Sequence, residues 1–475
     1  MTATRFQNLT DRLETVFKIL FFLYAALTFN CFTFGTPLIS IVMWPTFLLG
    51  AALIVNRVLH LPRYRTPYLW WLVALLAAGC LSVLFNYRYD LKLNITYMVC
   101  WALYFLLLYI QPKDCCETDL KKELRLFSIL FTIVVQISVL VSLVMMFTRF
   151  SLHVEYPGGL LLGGFVDSRL YGLFTDPNAG AVAAAIAALF LVHAMRSHTK
   201  WWKRTLCVLG ILCNLLYIAL SDSRTGMVVL LLIGFLYTLC YLLRALSARR
   251  FAPLFALLFA IIIGGGCFAM PKLIKATYNH SLSLIFSQSG DPTDDTMTDE
   301  EKQEIIDSMT VDRNYDLSGD ISNRRFSVWQ SGLEIFTAKP LFGTSYCGFT
   351  PYAKEALPET YIVNNDHVDM ITFDNEIINV LVSNGIAGGL PMLIFAISAV
   401  VCVLKGILCP SFDRDMTLCT AAVAVFAIAA SAMFRTAIFY YNSYLANLFW
   451  TFLGILVTLC YTQHKKEGDT NATVD

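Results

Sequence analysis

Charge is what this sequence has least of. Of 475 residues, 15% are charged and 57% hydrophobic, and the mean hydropathy is +0.62. Soluble globular domains carry roughly 25% charged residues, so the composition excludes an ordinary soluble domain and indicates a membrane protein. Also missing is a short apolar segment followed by a small-residue cleavage site ahead of the first span, so the first helix is expected to insert the chain itself. No Cys-x-x-Cys or Cys/His spacing suggests a metal site. There are 14 cysteines, yet only Cys347 falls in the long outside segment, which argues against a disulfide framework. Internal repeats are not evident, and the paired interrupted spans of many secondary transporters do not stand out. A net charge of +1 gives no basis for nucleic-acid binding.

What is present is a succession of apolar windows, each close to the ~20 residues that a helix needs to cross ~30 Å of hydrocarbon. They fall near 16–35, 37–56, 68–86, 93–111, 126–148, 178–195, 205–221, 226–243, 251–270, 377–402, 416–433 and 442–462. The expected fold class is therefore an all-α integral membrane protein of about twelve transmembrane helices. Residues 1–270 hold the first nine spans with an outer loop near 149–178. Residues 271–376 form a large, partly helical extracytoplasmic loop, 377–462 hold the last three spans, and 463–475 form a tail. Lysine and arginine set the orientation. Clusters such as Arg57/Arg63/Arg65, Lys113/Lys121/Lys122/Arg125 and Arg196/Lys200/Lys203/Arg204 fall on one side, while the short connections on the other side hold only Arg88, Lys92, Arg149, Arg169, Arg224 and Arg435. This asymmetry predicts that both termini are cytoplasmic.

The large outer loop begins acidic and apolar-poor, with a short helix expected at 299–309, and reads as a solvated cover. It changes character at 323–336, where Phe326, Trp329, Leu333 and Phe336 recur at helical spacing and predict an amphipathic helix over the membrane domain or at its interface. The functional candidates lie on this outer side. Arg169, Arg224, Arg325 and Arg435 stand near span ends. A lone arginine there is an interfacial anchor, but a group of them suits a pyrophosphate, because each guanidinium makes two parallel charged hydrogen bonds. Such a group also stabilises charge on a phosphate leaving group without a metal ion. Asp176 before Pro177 reads as the cap of the sixth span, and Asp222-Ser223 as the cap of the eighth. Asp374, followed by Asn375 at the start of the tenth span, is either another cap or a carboxylate that takes a proton from a sugar hydroxyl. His367 is a second candidate base. Trp329 either packs its helix or stacks on a sugar ring.

Four stretches in this order resemble the O-antigen ligase and O-antigen polymerase (Wzy-type) superfamily of bacterial polysaccharide assembly. They are RLYGLFTDPNAGA at 169–181, SDSRTG at 221–226, RFSVWQSGLEIFTAKPLFG at 325–343 and DNEIINVLVSNGIAGG at 374–389. The resemblance implies a metal-independent, inverting membrane glycosyltransferase without a cofactor, acting outside the cytoplasm on polyprenyl-pyrophosphate-linked oligosaccharide. It implies as partners the lipid bilayer and other assembly proteins, a flippase and a chain-length regulator among them, and no nucleic acid. By motif, Arg224 and Arg325 match the pyrophosphate-contacting arginines, and Arg169 matches the arginine before the DPN-like turn. Ligases of the family carry histidine then asparagine where this chain has Asp374 then Asn375, a departure that favours the polymerase side. The expectation is a surface polysaccharide polymerase, such as one for capsule or exopolysaccharide, in the bacterial cytoplasmic membrane. A ligase-like transferase is the alternative. A transporter is a further one, although it would be expected to bury charges in mid-span.

Overall fold

The computed structural model describes residues 2–60, 64, 66–113, 115–156, 159–246, 251–288, 306, 309–311, 324–365, 371–408 and 416–471. Its helices are α1 (Thr2–Thr28), α2 (Pro37–Leu59), α3 (Leu69–Phe85), α4 (Leu91–Leu103), α5 (Glu117–Phe147), α6 (Pro177–Ser197), α7 (Trp201–Leu220), α8 (Arg224–Ala245), α9 (Ala252–Gln288), α10 (Arg325–Ala338), α11 (Phe349–Ala356), α12 (Glu376–Leu408), α13 (Thr417–Ser431) and α14 (Tyr444–Asn471). Among the described residues, 9 helices are long and apolar enough to cross a membrane, and α3 and α13 are shorter apolar helices. Large apolar side chains stay exposed in stripes along them, for example Ile41, Trp44 and Leu48 on α2 and Ile129, Ile133 and Ile137 on α5. In water such stripes would be a liability; against lipid tails they need no protein cover.

The all-helical expectation needs one amendment. Residues 151–172 form a small antiparallel sheet, β1 (Ser151–Tyr156), β2 (Gly159–Val166) and β3 (Arg169–Gly172), in the order β1-β2-β3. Helix α9 continues past Pro271, where the large, partly helical loop is expected to begin, as far as Gln288. The short helix expected at 299–309 falls almost wholly outside the described residues.

The chain divides into two compact units. One comprises residues 1–28, 33–127 and 324–475, and the other comprises 29–32 and 128–323. In the first, an aromatic core joins Trp101 and Phe105 to Phe439 and Trp450. A π-helical turn, Tyr104–Tyr109, continues α4. The buried Arg57 serves its end by donating to the carbonyls of Leu106 and Ile110 while its remaining nitrogens reach Glu14. A buried guanidinium is tolerable only when paired and hydrogen-bonded in this way.

Helix α12 is broken. Gly385 has φ 60 and ψ −159, and the chain around it takes its missing partners from residues 340–345. Thr344 N donates to Val382 O at 3.0 Å and Ser345 N to Ser383 O at 3.0 Å, while Ile386 N reaches Pro340 O at 2.7 Å and Ala387 N reaches Leu341 O at 3.0 Å. Polar side chains of α3 and α4 brace the joint: Ser82 Oγ donates to Ser383 O, Asn86 to Gly343 O, and Asn94 to Ser345 Oγ. Irregular backbone inside a membrane domain persists only where protein satisfies it. This interrupted span, which the sequence did not reveal, is repaired by the loop that precedes it.

Beside this joint, Cys347 N donates to Asn94 Oδ1, and burial, with Asp90 adding to it, pushes the Cys347 thiol up to about 12. The thiolate is the reactive form. Iodoacetamide at pH 8 is therefore expected to leave Cys347 unmodified in the folded protein and to alkylate it after denaturation, as read by peptide mass. Equal labelling in both states would contradict the placement.

Candidate functional site

In the first unit, three segments meet at one corner. Helix α10 buries Val328, Ser331, Gly332 and Ile335, a stripe of three- and four-residue spacing. Gly332 permits the approach, since a Cβ there would lie 2.6 Å from Ile378 and 3.1 Å from Phe373. Of the aromatic stripe expected over the membrane domain or at its interface, Phe326 and Leu333 are 68% and 51% exposed, so the protein contact of α10 is made by the other stripe. Small residues win the interior because they let backbones approach closely, and the large apolar ones are left to the surface. Trp329 is half-buried, its ring edge-on to Phe326, and its indole N–H donates to Phe373 O at 3.0 Å. That bond fixes α10 to the segment bearing Asp374.

The two readings of Asp374 separate here. The cap of α12 is Asn375, whose Oδ1 accepts from Ile377 N at 3.0 Å and Ile378 N at 3.2 Å. Asp374 precedes it, half-buried, in the left-handed region at φ 50, with its N–H on Thr372 Oγ1 at 3.1 Å. Aspartate is among the few residues that accept this conformation readily. The capping bonds to α12 thus come from Asn375 and not from Asp374.

The third segment connects α13 to α14. Asn375 Nδ2 donates to Met433 O, and Glu376 N to Ala432 O. Asn379 Nδ2 donates to Thr436 Oγ1 at 2.9 Å. Arg435 is 6% exposed on this connector, and the guanidinium carbon of Arg325, the first residue of α10, lies 6.0 Å from the Phe434 ring centroid. The fold thus brings Arg325, Trp329, Asp374, Asn375 and Arg435 to one corner.

Sequence reasoning missed the residue that holds the corner. Glu376 is 4% exposed; its Oε1 accepts from Ile438 N at 2.8 Å and Phe439 N at 2.6 Å. The carbonyls of the same two residues accept from the indoles of Trp450 and Trp101 at 3.0 Å each. Two adjacent peptide groups of an irregular buried connector are satisfied on both sides, as a low-dielectric interior demands. In the sequence, Glu376 looked only like an acid in a helix's first turn.

The second unit has its own corner, where α6 and α8 begin and α7 ends. Asp176 caps α6 by accepting from Asn178 N, and Ser223 caps α8 by accepting from Gly226 N, as expected. Asp222 does not cap; at φ 46 it turns to Lys275, at 2.9 Å. Arg169 is 7% exposed and donates from Nε to Ser221 O at 2.6 Å and from Nη2 to Asn178 Oδ1 at 2.8 Å, the same oxygen that Ser223 Oγ reaches at 2.9 Å. These bonds tie the α7–α8 turn to the start of α6, so Arg169 acts here as a positioning residue. Arg224, the first residue of α8, is half-buried beside that turn. Lys275 also escaped sequence reasoning, because it lies on the part of α9 expected to be loop. Among the sequence candidates, His367 lies outside the described residues.

The arrangement can place cations beside a polyanion at either corner and, in the first unit, add a carboxylate able to receive a proton. Residues 209–393 match the family model described as O-Antigen ligase. The match takes in Arg224, Arg325, Trp329, Asp374 and Asn375 and stops short of Arg169 and Arg435. It carries the resemblance read from the motifs to the O-antigen ligase and polymerase superfamily, and it points to a membrane enzyme of the ligase and polymerase kind. No curated protein matches the chain at a significant level.

Proposed function

We propose that the protein is a repeat-unit polymerase of a bacterial surface polysaccharide, a metal-independent, inverting glycosyltransferase of the cytoplasmic membrane. It joins polyprenyl-pyrophosphate-linked oligosaccharides at the extracytoplasmic face, with both termini in the cytoplasm. The observation that carries this reading is that Asn375 makes the capping bonds of α12, so that Asp374, beside it, stands outside the capping role at the corner that also holds Arg325 and Arg435. In the proposed step, a sugar hydroxyl of one repeat unit attacks the anomeric carbon of another. Its oxygen forms the new glycosidic bond, its proton passes to Asp374, and the bond from the anomeric carbon to the pyrophosphate oxygen breaks. Polyprenyl pyrophosphate departs with the electron pair, and Arg325 neutralises the charge that develops. A pyrophosphate role for Arg224 is proposed from its motif alone.

The decisive experiment incubates purified protein with a defined lipid-linked repeat unit. Chains of more than one repeat are expected, and Arg224→Ala is expected to slow their formation by about 10²–10³-fold, the usual loss on deleting one charge-stabilising donor. Undiminished elongation by that variant would remove Arg224 from the donor site. A ligase is the second reading, favoured by the description of the matched family. Product length separates the two: a cell lacking a ligase accumulates long lipid-linked chains, whereas a cell lacking a polymerase makes single repeats.

A further inference from the structure

Helix α10 has a second stripe, which shares only Ser331 with the one packed at the corner. Ser327, Gln330, Ser331 and Glu334 follow one another at helical spacing and form one wall of a cleft of ≈ 310 Å³. The facing wall is the turn after α11, which contributes Glu359, Tyr361 and Asn364. That turn is fixed in place: Ile362 is 2% exposed, its N–H points to Ser331 Oγ at 3.4 Å, and Val363 N and Asn364 N both donate to Thr360 O. The cleft is thus held by backbone bonds before any ligand arrives.

Among the described residues its lining is hydroxyls, amides, two carboxylates and a phenol, with no cation and no aliphatic side chain. One Glu334 oxygen takes Gln330 Nε2 at 3.0 Å. The Tyr361 hydroxyl is buried and has no hydrogen-bond partner among the described residues. A buried hydroxyl in this state has bonding capacity that a water or a ligand hydroxyl can take up. Two carboxylates repel an anion and accept the protons of vicinal hydroxyls through strong charge-assisted bonds. The volume sits at the lower end of small-molecule clefts, ~300–1,000 Å³, with room for a monosaccharide ring.

We propose that this cleft is a saccharide subsite taking a neutral, hydroxyl-rich pyranose of the glycan chain, with Glu334 and Glu359 accepting from its hydroxyls and Tyr361 pairing with one of them. The assignment rests on the glycan-transfer reading above and adds selection against acidic sugars. It is tested on full-length protein in nanodiscs by saturation-transfer difference NMR. The probes are the methyl β-glycosides of glucose, galactose and N-acetylglucosamine, with methyl β-glucuronide as the acidic counter-probe.

At least one neutral glycoside is expected to receive saturation from the wild type and to bind about tenfold more weakly to the Glu359→Gln/Tyr361→Phe double variant, the scale set by losing a charge-assisted bond. Tyr361→Phe removes no bond within the protein, so folding should survive, and an unchanged unfolding midpoint verifies that. Equal saturation in wild type and variant, no saturation by any neutral glycoside, or saturation by the glucuronide as strong as theirs would each overturn the proposal. Differential glycoside binding by a protein that never elongates lipid-linked repeats would refute the polymerase and leave the subsite standing. Intact elongation without differential binding would do the reverse.

Discussion

Asp374→Asn is expected to slow chain elongation by about 10²–10⁴-fold, the range set by loss of a positioned general base, while the protein remains folded. The substitution is unusually clean. Asparagine accepts the left-handed backbone of residue 374 as readily as aspartate does, keeps the side-chain volume, and removes the capacity to take up a proton. The helix cap is not disturbed, because Asn375 supplies it. Asn375→Ala therefore makes the informative contrast: deleting the cap should lower stability by about 1 kcal/mol, with its effect on turnover following from the displaced corner. The pair is measured by elongation rate on a defined lipid-linked repeat together with the unfolding midpoint in detergent. An Asp374→Asn enzyme that elongates at the wild-type rate would end the case for Asp374 as base.

The largest structural effect should come from Gly385→Ala. At φ 60 and ψ −159, Gly385 occupies a region essentially restricted to glycine. An added Cβ would lie 2.3 Å from Leu341 O and 2.6 Å from Pro340 O, the carbonyls that receive the N–H groups of Ala387 and Ile386. Strain and clash act together on bonds that complete a broken helix, so a loss of about 3 kcal/mol or more is expected. The practical readout is yield of monodisperse protein after solubilisation, followed by the unfolding midpoint. Gly265→Ala is the matched control, because a Cβ there meets nothing within 4 Å and helical propensity alone favours alanine. If Gly385→Ala purified with a wild-type midpoint, the repaired break would not be important to the fold.

How far these features can be read in the sequence depends on which force sets each one. Hydrophobic run length sets the helices, and the apolar windows lie within or close to the helices observed. Capping chemistry is local, so Asp176 and Ser223 were legible as caps. Asp374 and Asn375 are adjacent and both suit a cap; Asn375 is held in place by Met433, which sequence distance hides. The break at Gly385 lies inside an unbroken apolar stretch, and its satisfying partners come from 340–345. The protein-facing stripe of α10 was not legible because burial there follows size, with Gly332 and Ser331 inside and Phe326 outside. The sheet at 151–172 was read only as a loop, since its strands are short and carry several glycines.

Residues 340–345 leave the ribosome before residues 382–387. When α12 reaches the bilayer, the partners for its interrupted backbone have already been synthesised, and Ser82 and Asn86, which brace the joint, earlier still. A helix with four orphaned peptide groups is costly to release into lipid; one whose partners precede it along the chain can be completed as it emerges. The direction of translation thus belongs to the design of this joint. The same residues in reversed order, with the broken helix made first, would expose the break to hydrocarbon until the loop arrived.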